Sequence, residues 1–251
     1  MVEILVLSLI QGITEFLPVS SSSHLIIYSE MKEFSARGLI LDVSLHIGSF
    51  LAVLIYFRKE LLSFLENRKL FTIIIFASIP ILVIGFVLAQ TGIINDLRTL
   101  KVIGWTTIIF AIFLYMSDKR ETKLNIKENL TYKNGILIGI AHVLSLIPGV
   151  SRSGIAITSA RFLGFNRVDA TKISYYLSIP VLTAVSCFGL YENFFVSDNN
   201  LSKISYLGIM LSFLFSYITI KYFLIYIKKF NMNLFVLYRI ILGLVILFYA
   251  Y

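Results

Sequence analysis

The chain has 251 residues, of which 58% are hydrophobic and only 14% are charged, whereas soluble domains carry about 25% charged residues. Its net charge of +8 does not indicate a nucleic-acid binder, because the Lys and Arg residues lie in short clusters between apolar runs. The 21 Phe and 14 Tyr residues exclude a disordered chain, and the single cysteine, Cys187, excludes an internal disulfide and a cysteine metal cluster, which leaves a polytopic membrane protein.

The first apolar stretch, residues 2–30, is interrupted near its middle. It begins as a helix, meets Pro18 and continues through four consecutive serines, so neither arm has the roughly 20 residues needed to cross a bilayer. One interpretation is a single kinked transmembrane helix. We favour a re-entrant helical hairpin, because four serines facing lipid would be costly. A second short helix is expected to begin at Ser20 or Ser21, with its free N–H groups forming an anion site at membrane depth.

Six uninterrupted runs are long and apolar enough to span a membrane. They are residues 39–57, 70–90, 101–117, 172–191, 204–226 and 234–251. Asp42 and His46 lie inside the first run, and Lys221 and Arg239 lie inside the last two. Such groups are expected to face the protein interior or to reach an interface.

A second interrupted stretch, residues 134–163, breaks at a proline in the same way, with LIPGVSRSG resembling the earlier FLPVSSSSH. Each broken stretch is followed by three spans. The sequence therefore predicts one all-α membrane domain made of two halves, residues 1–118 and 134–251, joined by the charged linker 119–133. Because three crossings are an odd number, the second half is expected to be inverted relative to the first. An inverted repeat places a site near the midplane, where the two broken elements meet.

The loops predicted to lie on one side of the membrane carry thirteen Lys and Arg residues, and the loops on the other side carry five. Cytoplasmic loops are the ones enriched in these residues. This distribution predicts that both termini lie outside and that the first hairpin enters from outside.

The first hairpin carries a set of chemically active side chains. Gln11 and Glu15 are four residues apart and share a helix face. A carboxylate beside an amide suits a hard divalent cation, and Glu15 could equally be a general base; the alternative is a Glu that only supports packing. Ser21 and His24 are three residues apart, which fits a nucleophile with its base or a phosphate donor with a proton shuttle. His46 is interpreted equally as a site residue or as packing.

In the second hairpin, Ser151 can cap a helix, Gly149 lets the backbone approach a ligand, and Arg152 projects from the first turn. A planar guanidinium binds two phosphate oxygens at once; the alternative is an Arg that reaches to the membrane interface. Together the two hairpins match a phosphorylated group whose remainder is lipid.

These motifs resemble those of the integral-membrane undecaprenyl-diphosphatase family, known for bacitracin resistance. They read here Gln11-Gly-Ile-Thr-Glu15-Phe-Leu-Pro18-Val-Ser-Ser-Ser-Ser-His24 and Pro148-Gly149-Val150-Ser151-Arg152-Ser153. The resemblance implies hydrolysis of undecaprenyl diphosphate to undecaprenyl phosphate and inorganic phosphate, with Mg²⁺ or alternatively Ca²⁺. It implies a bacterial plasma-membrane protein whose site opens to the extracytoplasmic side. Two positions depart from the family pattern, Ser23 in place of Gly and Ala156 in place of Thr.

We predict that the catalytic residues are Glu15, Ser21, His24 and Arg152, and that Glu15 and Gln11 bind the metal. The predicted diphosphate-binding residues are Ser20, Ser22, Gly149, Ser151, Arg152 and Ser153. The nucleophile is left open among Ser21, His24 and a water activated by Glu15. The alternative function is a polyprenyl-phosphate flippase or transporter using the same phosphate site. The expected partners are the lipid substrate and the bilayer, with no nucleic acid, and a homodimer is left open.

Overall fold

A computed structural model describes residues 2–31, 39–66, 68–121, 123–191 and 203–251. These residues form helices and no named strand; their one isolated bridge joins Leu124 and Phe165. The helices are α1 (Val2–Thr14), α2 (Ser21–Met31), α3 (Leu39–Tyr56), α4 (Arg58–Glu66), α5 (Arg68–Thr91), α6 (Ile93–Asp96), α7 (Leu100–Asp118), α8 (Ile126–Asn129), α9 (Tyr132–His142), α10 (Arg152–Phe162), α11 (Arg167–Tyr191), α12 (Lys203–Lys229) and α13 (Asn233–Ala250), with a 3-10 turn at Val143–Leu146. The predicted all-α class is confirmed.

Each of the six predicted spans coincides with a long helix, namely α3, α5, α7, α11, α12 and α13. All except α3 are long and apolar enough to cross a membrane by length and composition, and the apolar part of α3, Leu41–Tyr56, is shorter. Their outward faces are apolar, as with Phe86 and Tyr222, each 60% exposed, which is the surface a bilayer requires. The chain is therefore a multi-pass membrane protein. The sequence did not predict α4, α6 and α8, of which α8 lies within the predicted linker.

Both interrupted stretches are pairs of short helices, as predicted. The arms are 13 and 11 residues long in α1 and α2, and 11 residues each in α9 and α10. The two arms of each pair contact one another, which is the packing of a helical hairpin. From which membrane face each hairpin enters stays a prediction.

The long helices pack closely around the hairpins. α9 lies against α5 where Gly139 contacts the backbone of Ala77, an approach that only a small residue permits. α7 and α13 run antiparallel: Asp118 at the end of α7 accepts a hydrogen bond from the Met232 amide just before α13, at 2.9 Å.

The first hairpin's α1 packs on α12 and the second hairpin's α9 packs on α5. Each hairpin thus contacts the middle long helix of the other predicted half. An inverted repeat would produce this reciprocal packing of each hairpin on the other half. The repeat itself stays a prediction.

One side chain, Arg239 of α13, ties the breaks of both hairpins together. It is fully buried, and its guanidinium donates to Pro18 O of the first break at 3.2 Å and to Gly149 O and Val150 O of the second, each at 3.0 Å. Its Nε donates to Thr107 O of α7 at 3.3 Å. A broken helix leaves carbonyl oxygens that need partners at membrane depth, and a guanidinium carries five donors in a fixed plane.

The second break is also fixed to its neighbours directly. Ser153 Oγ donates to Leu17 O at 2.6 Å, and Thr106 Oγ1 donates to Pro148 O at 2.6 Å. Gly149 has φ +93°, and a Cβ there would collide with Thr106 and with the backbone of Ile103. The position therefore requires glycine for both its conformation and its space.

Replacement of Arg239 by Lys should destabilise the protein although the charge is retained. A single ammonium cannot bond carbonyl oxygens on three elements, and each buried carbonyl left unpaired costs about 1–3 kcal/mol. We expect the free energy of unfolding in detergent to fall by about 3 kcal/mol or more. Arg58→Lys is the matched control, because Arg58 is exposed and makes one bond to Ile55 O. Equal thermal stability of Arg239→Lys and Arg58→Lys would contradict this role.

Candidate active site

The two short helices that follow the breaks begin at serines with the same unusual backbone. Ser20 has φ 73° and Ser151 has φ 72°, and they are the non-glycine residues with positive φ in the described part of the chain. Ser151 caps α10 by accepting from the Gly154 amide at 3.1 Å, as predicted. Ser20 Oγ shares a 2.9 Å hydrogen bond with Ser23 Oγ. Strained backbone of this kind is concentrated at ligand sites.

A cavity of about 180 Å³ lies between these two helix starts. Its lining is Thr14, Glu15, Ser20, Ser21, His46, Ile81, Ser145, Leu146, Ser151, Arg152 and Val181. The first turns of α2 and α10 both reach it, and helix N-termini present unpaired N–H groups and a positive dipole end. The two breaks thus meet at one cavity, as predicted, and its binding of an anion stays a prediction.

Glu15 connects the two hairpins inside this cavity. Its carboxylate forms an ion pair with Arg152, and its Oε2 accepts a 2.7 Å hydrogen bond from Ser21 Oγ. The Glu15 side chain is 3% exposed and that of Arg152 is 18% exposed, so the guanidinium remains reachable by a ligand. The alternative in which Arg152 reaches to an interface is wrong. Glu15, Ser21 and Arg152 are therefore brought together as predicted.

His24 lies beside this group but does not line the cavity. Its Nδ1 is 2.7 Å from Ser20 O, and its Nε2 is 2.5 Å from the Tyr238 hydroxyl. A carbonyl oxygen can only accept, so Nδ1 carries the proton, and in a neutral ring Nε2 accepts from Tyr238. Ser21 instead bonds to Glu15. The side-chain pair between Ser21 and His24 expected from their spacing is therefore absent from this structure.

Gln11 lies one helical turn before Glu15, and its side-chain oxygen has no hydrogen-bond partner among the described residues. Its Nε2 donates to His46 Nδ1 at 3.0 Å, while its Oε1 is fully buried. The described residues contain no group of three or more His, Cys, Asp and Glu that could hold a metal. Glu15 and Gln11 thus fit a divalent cation only if the other ligands are substrate oxygens, as hard oxygen-seeking cations commonly use phosphates.

Several predicted diphosphate-binding residues have other roles or positions. Ser153 bonds to Leu17 O and Gly149 O accepts from Arg239, and neither residue lines the cavity. The side chain of Ser22 lies outside the described part of the chain. Ser20 and Ser151 line the cavity as expected.

The sequence did not predict that Ser145 lines the cavity, or that Arg239 donates hydrogen bonds to both breaks. Ser145 belongs to the 3-10 turn and no motif marks it. Arg239 did carry a signal, since it is a charged residue in the middle of a predicted span. His46, left open between two interpretations, lines the cavity.

Comparison with known proteins identifies the family of this chain. The family model described as bacitracin resistance protein BacA matches residues 4–245. The undecaprenyl-diphosphatase of Pelagibacter ubique (strain HTCC1062) is 48% identical over all of this chain and 98% of its own length. Those of Saccharophagus degradans and Alcanivorax borkumensis are 39% and 40% identical over 94% and 98% of this chain, and over 93% and 97% of their own lengths. The chain therefore belongs to the bacitracin resistance protein BacA family.

Proposed function

We propose that this protein hydrolyses undecaprenyl diphosphate to undecaprenyl phosphate and inorganic phosphate. The reaction returns the lipid carrier to cell-wall synthesis and gives resistance to bacitracin. The observation that carries the proposal is the contact of Glu15 with both Ser21 and Arg152 in a cavity built from two helix N-termini. The relatives named undecaprenyl-diphosphatase match along the whole chain, which supports the same reaction here.

The diphosphate binds where the two hairpins meet. Arg152 and the starts of α2 and α10 supply the positive charge and the N–H donors for phosphate oxygens. In the structure the Glu15 carboxylate is paired with the guanidinium of Arg152. The diphosphate binds this guanidinium in place of Glu15. The Glu15 carboxylate is then released from its ion pair and lies next to the reacting phosphorus.

The lipid tail leaves the cavity along an apolar groove. A groove of about 220 Å³ between α5 and α11 is lined by apolar residues and Gly85. Ile81, Leu146 and Val181 line both this groove and the polar cavity. A charged cavity and an apolar groove are thus adjacent, which suits a diphosphate attached to an isoprenoid.

The chemistry begins at the hydrogen bond from Ser21 to Glu15. Glu15 accepts the proton of the nucleophile, either Ser21 Oγ or a water at the same point, as that oxygen attacks the terminal phosphorus. The bond from this phosphorus to the bridging oxygen breaks, and undecaprenyl phosphate leaves. A water nucleophile gives inorganic phosphate directly, whereas attack by Ser21 gives a phosphoserine, from which a second attack by water releases the phosphate and restores the hydroxyl. Arg152 stabilises the charge that develops on the phosphate oxygens. A divalent cation held by Glu15 and Gln11 with the diphosphate would supply further neutralisation of that charge.

His24 acts in this scheme as a positioning residue. Its Nδ1 donates a hydrogen bond to Ser20 O and thereby stabilises the strained turn that starts α2. We place the cavity's opening on the extracytoplasmic side of the plasma membrane, following the distribution of Lys and Arg. A transporter would need no hydroxyl–carboxylate pair like that of Ser21 and Glu15, and we do not propose one.

Phosphate release from undecaprenyl diphosphate by the purified protein in detergent tests the function. Glu15→Gln keeps the shape of the side chain but removes its charge, and we expect kcat to fall at least ~10²-fold, the usual effect of losing an acid–base group. Added Mg²⁺ should restore part of the rate if Glu15 mainly binds the cation, and none if it mainly transfers a proton.

The matched control is Glu60→Gln, because Glu60 is a half-exposed carboxylate near Lys172 and does not line the cavity. It should release phosphate at the wild-type rate. No phosphate release by the folded wild-type protein would contradict the proposed function. Wild-type turnover in folded Glu15→Gln would refute the role of this carboxylate.

Arg152→Lys separates bidentate phosphate binding from simple charge. A lysine cannot reproduce the paired N–H donors, so we expect kcat/KM to fall roughly 10- to 100-fold, the equivalent of losing one or two charge-assisted hydrogen bonds. Kinetics of phosphate release would measure it, with Arg58→Lys as the control. An unchanged kcat/KM would remove Arg152 from the substrate contacts.

A further inference from the structure

A second cavity, of about 420 Å³, lies where α7, α10 and α12 end and α11 begins. It is lined by Asp118, Lys119, Arg120, Glu121, Arg161, Asn166, Arg167, Val168, Ile227 and Lys228. None of these residues lines the cavity between the hairpins. The second cavity is therefore separate from the site described above.

The lining of this cavity is strongly cationic. It has five Lys and Arg residues against two carboxylates, a net charge of +3. Asp118 is already fully engaged: its Oδ1 accepts from Arg167 Nε at 2.6 Å, and its Oδ2 accepts from Arg167 Nη2 at 3.0 Å and from the Met232 amide at 2.9 Å. This carboxylate thus leaves most of the surrounding positive charge uncompensated.

Two of the arginines donate to carbonyl oxygens at the negative ends of the neighbouring helices. Arg161 donates to Asp118 O at the end of α7 and to Arg120 O just beyond it, at 3.0 and 2.9 Å. Arg120 donates to Phe162 O, the last residue of α10, at 3.3 Å. These two arginines thus supply hydrogen-bond donors to carbonyl oxygens at the ends of α7 and α10 and connect the two helix ends.

Lys119, Lys228 and part of Arg167, whose side chain is 36% exposed, remain to face a ligand. The N-terminus of the 25-residue helix α11 reaches the same cavity through Asn166, Arg167 and Val168. Asn166 Oδ1 already accepts from the Asp169 amide at 3.0 Å, so the amides of Arg167 and Val168 and the positive dipole end are what α11 adds to the field of the three cations. Three elements thus converge on one point with the chemistry that binds a phosphate group.

The surroundings point to a lipid as the source of that phosphate. Val168 and Ile227 give the cavity apolar walls, and on the outer side of the same region of α12 Ile225 is 47% and Phe230 is 56% exposed. Exposed apolar side chains at the end of a membrane helix contact acyl chains close to the headgroups. Basic pockets between transmembrane helices bind anionic headgroups in this setting.

We propose that this cavity binds the phosphate group of an anionic membrane lipid, which thereby links the ends of α7, α10 and α12 to the start of α11. The lipid is a structural ligand and takes no part in the hydrolysis. The proposal does not rest on the proposed function, because its residues are separate from Glu15, Ser21 and Arg152.

Native mass spectrometry of the purified protein tests the proposal directly. The protein is mixed with dioleoyl phosphatidylglycerol or with dioleoyl phosphatidylcholine, which have the same acyl chains and differ in net charge. We expect the anionic lipid to be retained roughly 25-fold more than the neutral one, since Lys119 and Lys228 each add about a fivefold preference at a membrane surface. Lys119→Gln combined with Lys228→Gln should abolish this preference.

The control is Lys127→Gln combined with Lys133→Gln, which removes two exposed lysines that do not line the cavity. It should retain the anionic lipid like the wild type, and all three proteins should release phosphate at the same rate. Lys228→Glu alone serves as a second cavity variant if the double variant does not fold. Equal retention of both lipids by the wild type, or an unaltered preference in the cavity variants, would overturn the proposal. Stabilisation by inorganic phosphate that depends on Lys119 and Lys228, without retention of phosphatidylglycerol, would also overturn it, because the ligand would then be a soluble anion.

Discussion

The buried guanidinium of Arg239 is the constraint on which the site depends. It bonds carbonyl oxygens of Pro18, Gly149 and Val150, so two broken helices can end next to each other in a region that offers no water. Among the described residues it forms no ion pair, and its charge therefore lies uncompensated behind the starts of α2 and α10. That charge adds to the two helix dipoles at the point where we propose that the phosphate binds. Arg239 thus supplies hydrogen-bond donors for the carbonyl oxygens of both breaks and also adds positive charge near the site.

The charges of Glu15 and Arg152 in the cavity balance each other. Glu15 neutralises Arg152 and accepts from Ser21, because an unpaired charge at this depth would be costly. In the proposed mechanism a diphosphate replaces the carboxylate at the guanidinium and leaves Glu15 beside the nucleophile. Substrate binding and the release of the base are therefore one event in this scheme. A soluble anion without the isoprenoid would occupy only the polar cavity and would not contact the adjacent groove beyond their shared wall at Leu146.

Much of this arrangement could be predicted from the sequence. The prolines and serines marked both breaks, the length of the apolar runs gave the long helices, and Glu15, Ser21 and Arg152 were identified by charge and hydroxyl content at membrane depth. The position of His24 was not predictable, because its partner Tyr238 is 214 residues away. The hydrogen bonds from Arg239 to both breaks were missed for the same reason: an isolated Arg in a span indicates burial, but only the packing of α13 shows which carbonyls it meets.

The most direct test of the account is a structure determined with a polyprenyl methylenediphosphonate, in which the bridging oxygen is replaced so that hydrolysis cannot occur. The account predicts the diphosphonate between the starts of α2 and α10, in hydrogen-bond contact with Arg152, with Glu15 released from the guanidinium and the isoprenoid in the groove between α5 and α11. A diphosphonate that touches only one hairpin, or that leaves the Glu15–Arg152 ion pair intact, would contradict it.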